Sequence, residues 1–489
     1  MARATAFLAF LALLIAGPWV SSVASAQTPS KILDNGDDAQ RLVFAVLGDG
    51  YSSTQQAKFA SDVNKVIISG ALGFDFYAMN RQAFNVYRID LVSTVSGVST
   101  SSGRRSTALN TTYAGSTGSC WITEGANTVS LIAGKVPSTL KIDYYVVLVN
   151  TNTMDYGGCS YGSFMYLTPD NMWSPSVAAH EYGHGIANLY DEYGSSRSFT
   201  GTRDALNCSS NSPGVGIRWA SKMPPGTSIP TTFNPSTMND NQTVGAFKGC
   251  DNFANLYRPV ENCRMKTVDH VFCPVCLEEM TKVVAPHKPD EGGRAPSKPT
   301  GVRILNNLQT RMPRFPSRSL SVALQRSQQN AAQPYLNLLL QVFSDGRIKI
   351  LRAAEGRGDV VASRASADAL YEVTRGGQTV AAGPLPQGFM SVRRYNPPYT
   401  GNVDSQVAAT STTVSITIPN TTRNDAIAGT LGLTLYQLTA GVPLQEITVQ
   451  AVATLKARNQ LMMTAALSRP DFASGVRQLP YTPPPNPGR

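Results

Sequence analysis

Histidine is nearly missing from this chain, with four in 489 residues, at positions 180, 184, 270 and 287. Cysteine occurs seven times, but the last stands at position 276 and none follows in the remaining 213 residues. Charged residues make up only 15 % of the chain, and its basic residues never gather into a run with interleaved aromatics. That pattern argues against nucleic-acid binding. No apolar stretch approaches the ~20 residues needed to cross a bilayer as a helix, so no membrane span is expected. The longest such run is near the start: Arg3, an apolar segment from Ala6 to Ala16, then Ala24-Ser25-Ala26 as a small-residue cleavage site. Residues 1–26 therefore read as a secretory signal, and the mature protein is expected to be secreted.

What histidine there is lies close together. His180 and His184 are four residues apart, and Glu181 follows the first directly. On a helix that spacing puts both imidazoles on one face, one turn apart, where they can share one zinc ion, while Glu181 reaches a water on it. Ser174 suits an N-cap, Pro175 suits the first helical position, and Val177, Ala178 and Ala179 carry the pattern forward. A continuous helix would place Asp191 ~16 Å up the axis from His180, too far for a shared ion. The helix must therefore end, and Asn188, tolerant of the left-handed conformation, is the expected break. Chain reversal there brings Asp191 or Glu192 to the metal as third ligand, Asp191 being preferred, and leaves a fourth position open. The chemistry implied is a hydrolase with one catalytic zinc ion and Glu181 as general base.

An exported chain meets oxidising conditions, so the seven cysteines (Cys120, Cys159, Cys208, Cys250, Cys263, Cys273, Cys276) are expected to form disulfides with one thiol left over. Two alternatives stay open: a structural zinc site of Cys263, His270, Cys273 and Cys276, and a redox pair in Cys273-Pro-Val-Cys276.

The length suggests two or three domains. The Pro-rich stretch 286–299 marks a boundary, giving a metal-bearing part at 27–289, an accessory part at 290–479 and a disordered tail at 480–489. Before the boundary, strand patterns (Leu42 to Leu47, Phe84 to Val92, Tyr144 to Asn150) alternate with a helix at Ser53 to Ile68, an α/β (α+β) pattern. After it come short strand patterns at Leu336 to Phe343, Leu370 to Val373, Thr413 to Ile418 and Leu444 to Leu455, which read as an all-β sandwich. The net charge of +10 also lies there, with 21 Lys+Arg against 11 Asp+Glu in residues 290–489 and 21 of each before them. Weak attachment to anionic surfaces is the expected consequence. The alternating segment Cys159 to Leu167 is either an edge strand for an extended substrate or an internal strand.

Four ordered stretches resemble the IgA-peptidase family of secreted zinc metallopeptidases. They are Val43-Phe-Ala-Val-Leu-Gly-Asp-Gly-Tyr51, Phe84-Asn-Val-Tyr-Arg-Ile-Asp90 with Ser96-Gly-Val-Ser99, His180 to Tyr193 as HExGHxxxxLxDEY, and Tyr257 to Met265 followed by Phe272-Cys-Pro-Val-Cys276. The resemblance implies a zincin-like fold, with His180, His184 and Asp191 on zinc, Glu181 as the catalytic carboxylate, and Met265 in a Met-turn beneath the metal. The HExxHxxGxxH pattern of metzincins is absent, since Tyr190 stands where the third histidine would be. Tyr193 and Tyr257 are the candidate donors to a developing oxyanion. The function expected is an endopeptidase acting on extracellular proteins or peptides. The competing readings are an adhesion protein with a structural zinc and a zinc amidase acting on cell-wall peptides.

Overall fold

The computed structural model describes residues 29–481, apart from 101–102, 113–125, 152–156, 195, 202, 204, 213–215, 290–332, 362–365, 386–390, 396–406, 409–410, 440–441 and 443–444. The secretory signal, Cys120, most of the Pro-rich boundary and most of the tail lie outside the described residues. No described helix is long and apolar enough to cross a membrane.

The first part is built on a mixed sheet. Its strands are β1 (Ser30–Leu33), β2 (Leu42–Asp49), β3 (Phe84–Ile89), β4 (Tyr144–Val149), β5 (Gly158–Tyr161) and β6 (Phe164–Leu167), in the order β1-β3-β2-β4-β6-β5. The parallel pairs β2·β3, β2·β4 and β4·β6 form its centre. Every residue of β2 is buried, as a strand covered on both faces requires. Phe44 and Val46 point into one core, and Val43, Ala45 and Leu47 into another, following the two-residue period. The segment expected as one helix at Ser53 to Ile68 is helical in three registers: a 3₁₀ turn at Ser53–Gln55, α1 (Gln56–Val63) and a π turn at Asn64–Ile68. Next come α2 (Asp75–Met79), α3 (Ala126–Lys135), α4 (Ser174–Ala187), a small hairpin of β7 (Phe247–Cys250) and β8 (Phe253–Arg258), and α5 (Pro274–Val284).

The later part contains antiparallel sheets. A three-stranded one is formed by β9 (Pro334–Phe343), β10 (Ile348–Arg357) and β16 (Ser411–Pro419), in the order β10-β9-β16. A four-stranded one is formed by β12 (Ala369–Arg375), β13 (Gln378–Pro384), β17 (Leu431–Leu438) and β19 (Leu461–Leu467), in the order β13-β12-β17-β19. Short strands β11 (Ser366–Ala367) and β18 (Gln445–Glu446) pair with each other. Both larger sheets feed one core, with Leu336, Leu338 and Leu340 from β9 meeting Val373, Leu433 and Leu435.

One expectation needs correction here, and one open alternative is decided. The region is not all-β, because α6 (Arg423–Ile427), α7 (Val449–Ala457) and α8 (Arg469–Arg477) are set among its strands. Helix α7 replaces most of the strand expected at Leu444 to Leu455. The Thr448 side chain caps it by accepting from Ala451 N, and Val452 and Leu455, three apart, bury one helical face. Of the two readings left open for Cys159 to Leu167, the internal strand is the one observed: β14 (Ser391–Tyr395) pairs antiparallel with β5, and β15 (Val407–Ala408) extends the same sheet. The two parts also meet elsewhere, where Ser163 N donates to Thr413 O (3.1 Å) and Ser415 Oγ donates to Ile142 O (2.7 Å).

Candidate metal centre

Helix α4 begins one residue before the expected boundary. Ser174 is its first residue and Trp173 occupies the cap position with no side-chain cap bond. Instead of capping, the Ser174 hydroxyl donates to Asn171 O (2.7 Å) and to Thr168 O, while Asn171 Oδ1 accepts from Trp173 N (2.7 Å) and turns the chain into the helix. The far end follows expectation. Asn188 is left-handed (φ 55°, ψ 32°), its N–H reaches His184 O (3.0 Å), and Leu189 N reaches back to Gly183 O (3.2 Å). This closing pattern satisfies the last carbonyls and reverses the chain within two residues.

The reversal brings three side chains together. His180 Nε2, His184 Nε2 and Asp191 Oδ1 form a triangle in which each atom lies 3.1 Å from the other two. All three residues are at most 4 % exposed. Each imidazole is oriented from behind: His180 Nδ1 lies 2.8 Å from Arg264 O, and His184 Nδ1 lies 2.7 Å from Leu189 O. A carbonyl only accepts, so each Nδ1 carries the ring proton and, in the neutral ring, each Nε2 presents a lone pair. Two nitrogen lone pairs and a carboxylate oxygen therefore converge at 3.1 Å, an arrangement that could hold one shared cation. Burial alone would raise the Asp191 carboxyl, and only protonated imidazoles would reverse this and hold it below the usual carboxylate range.

The strap from Leu189 to Tyr193 is held from both sides. Glu192 N donates to Met265 O (2.8 Å), and Asp191 O accepts from Asp251 N (2.8 Å). Asn207 accepts Tyr190 N through Oδ1 (2.8 Å) and donates to Tyr190 O (2.9 Å) and to Glu192 Oε1 (2.8 Å). No metal-site spacing marks this asparagine in the sequence, where it lies fifteen residues beyond Glu192. Its neighbour Cys208 is disulfide-bonded to Cys250, 42 residues on and directly before Asp251. Closing a loop of that length restricts the unfolded chain by about 4 kcal/mol in the entropic picture. Replacing both cysteines by serine is expected to cost ~2–4 kcal/mol of stability, read from the denaturation midpoint. An unchanged midpoint would remove this clamp from the account.

Glu192 does not join the triangle. It points away from Asp191, into a buried group with Cys263, Cys273 and Cys276. Burial pushes its carboxyl well above the ordinary range, and the Cys263 thiol adds to the rise. Those three cysteines are free, whereas Cys159 is disulfide-bonded like Cys208 and Cys250. Where the sequence led to one spare thiol, the described residues hold three. His270, grouped with these cysteines in one sequence reading, lies apart, partly exposed and 3.9 Å from Asp240.

Glu181 is fully buried on α4 against β5, where an added Cβ at Gly158 would meet Glu181 Cγ at 3.3 Å, Val177 Cγ1 at 2.6 Å and Leu167 Cδ2 at 2.7 Å. Gly158→Ala should cost ~1–3 kcal/mol and lower activity, because the branched neighbours cannot yield without moving the helix. Equal stability and turnover in that variant would contradict the packing argument. On the opposite side, Met265 Sδ would meet a Cβ at Gly183 at 2.8 Å, so the sulphur sits directly against the helix between the two histidines. Tyr193 lies in the main core, and Tyr257 is half-buried against it.

Residues 30–242 match the model of the IgA Peptidase M64 family. The match contains the whole of α4, the triangle and Glu192, and stops short of Met265 and the three free cysteines. No curated protein gives a match to the chain.

Proposed function

The chain is a metallopeptidase by its match to that family, and from this premise we propose that it is a secreted, zinc-dependent endopeptidase cleaving extracellular proteins. His180, His184 and Asp191 hold the ion and Glu181 is the general base. The observation that carries this reading is the triangle itself: two imidazoles with their protons committed to carbonyls at Nδ1, and one carboxylate oxygen, all at 3.1 Å. Two nitrogens and one oxygen suit zinc, and three protein ligands suit a catalytic site. When bound, the ion supplies Lewis acidity that polarises a carbonyl and lowers the pKa of water toward ~7.

The remaining steps belong to the chain. Glu181, one residue after the first ligand on a rigid helix, takes the proton from the attacking water and delivers it to the leaving amine. Arg264 O and Leu189 O fix both imidazoles in the one tautomer that presents Nε2. Met265, pressed against α4, serves as the Met-turn residue of a zincin-like fold, and Tyr193 and Tyr257 remain the candidate oxyanion donors. Residues 27–289 form the catalytic unit, and 290–479 an accessory unit whose net positive charge favours weak contact with anionic surfaces.

Casein digestion by the purified chain, with chelator and after zinc is restored, tests the proposal. Cleavage that stops with chelator and returns with zinc is the expected result. Intact casein at full zinc occupancy would favour the binding-protein reading, and release of cell-wall peptides alone would favour the amidase.

A further inference from the structure

Cys263, Cys273 and Cys276 present their sulphurs, and Glu192 a carboxylate oxygen, with all four atoms within 4.8 Å of one another and all four residues fully buried. Cys263 Sγ and Cys276 Sγ are 3.8 Å apart, and Cys276 Sγ is 3.1 Å from Glu192 Oε1. Ligands arranged tetrahedrally at a zinc–sulphur distance of ~2.3 Å stand ~3.8 Å apart. A disulfide, at ~2.05 Å, would join two of the sulphurs and leave the third beside a buried carboxyl. A second observation points to a ligand: Glu192 Oε2 is buried with no hydrogen-bond partner, while Asn207 Nδ2 holds Oε1 and so fixes the group's direction. Cys273 caps α5 and Cys276 lies in its first turn, where the helix dipole favours thiolates. The buried Arg258 acts on Glu192 as a neighbouring positive charge.

We propose that Glu192, Cys263, Cys273 and Cys276 form a second metal site, closed by four protein ligands, that takes one structural zinc ion. Three soft thiolates select zinc over calcium or magnesium, and a full set of four protein ligands suits a structural site. Its consequence for the first centre is positional. Glu192 directly follows Asp191, and Cys263 directly precedes Arg264, whose carbonyl orients His180. One ion thereby pins both the strap that delivers the carboxylate ligand and the turn that sets the first histidine.

Elemental analysis of the full chain, purified with zinc and without chelator, tests this independently of peptidase activity. The unmodified chain should hold two zinc ions, and the His180→Ala/His184→Ala variant one. Cobalt(II) in that double variant should show thiolate-to-metal charge-transfer absorption, which the histidine site cannot produce. Unfolded with chelator but without reductant, the chain should expose three alkylatable thiols. One thiol, together with no metal in the double histidine variant, would overturn the proposal in favour of a disulfide. Cys276→Ser should hold a single ion without the thiolate absorption; should that variant fail to fold, the double histidine variant still reads the second site. If the unmodified chain holds one ion that survives the histidine changes, the assignment at His180 and His184 fails while this one stands.

Discussion

Glu181→Gln will slow peptide-bond cleavage by ~10²–10⁴-fold while the metal stays bound and the fold is kept. The substitution preserves the size and shape of a side chain that is fully buried between α4 and β5. It removes only the capacity to accept and return a proton. The loss should appear in kcat, with metal content and thermal midpoint unchanged, because Glu181 is outside the triangle of His180, His184 and Asp191. A variant that cleaves casein at the unmodified rate with equal metal would refute the proposed mechanism.

Removing any corner of the triangle will have the second large effect, and on a different observable. His180→Ala, His184→Ala and Asp191→Asn should each abolish activity by emptying the first centre, since two remaining ligands do not hold zinc against a chelator. Asp191→Asn is the most informative of the three, because it keeps the volume and removes the charge. The paired control is Glu192→Gln, which lies next in sequence but faces the cysteines. It should retain the ion at the histidines and lose the one among the thiolates. Should Glu192→Gln empty the histidine site and Asp191→Asn leave it filled, the ligand assignment is reversed.

These contrasts indicate where the sequence sufficed. The two histidines and Glu181 were legible because a helical spacing of four fixes two side chains on one face whatever surrounds them. The end of α4 was legible because an asparagine able to adopt φ 55° follows the last turn. Strands β2 and β4 were legible from continuous apolar runs, buried in the parallel centre of the sheet. The start of α4 was misplaced by one residue, since the Ser174 hydroxyl found backbone carbonyls to bond and left the capping role to the turn at Asn171.

Other features were decided beyond local pattern. Helix α7 took most of a segment that reads as a strand, because Thr448 offered a cap and a buried face lay at helical spacing. The β5 edge was filled by β14, more than 220 residues later in the chain, a pairing made by backbone groups that carry no side-chain signal.

By itself the sequence determined the helix that carries His180 and His184, the carboxylate beside them and the α/β pattern that holds them, since these rest on spacing and burial within a few residues. Which of two adjacent acids meets the histidines was settled only in three dimensions. Successive side chains leave the Leu189–Tyr193 strap in different directions, so Asp191 faces the imidazoles while Glu192 joins cysteines 71 to 84 residues away, drawn in by the Met265 turn and by Asn207.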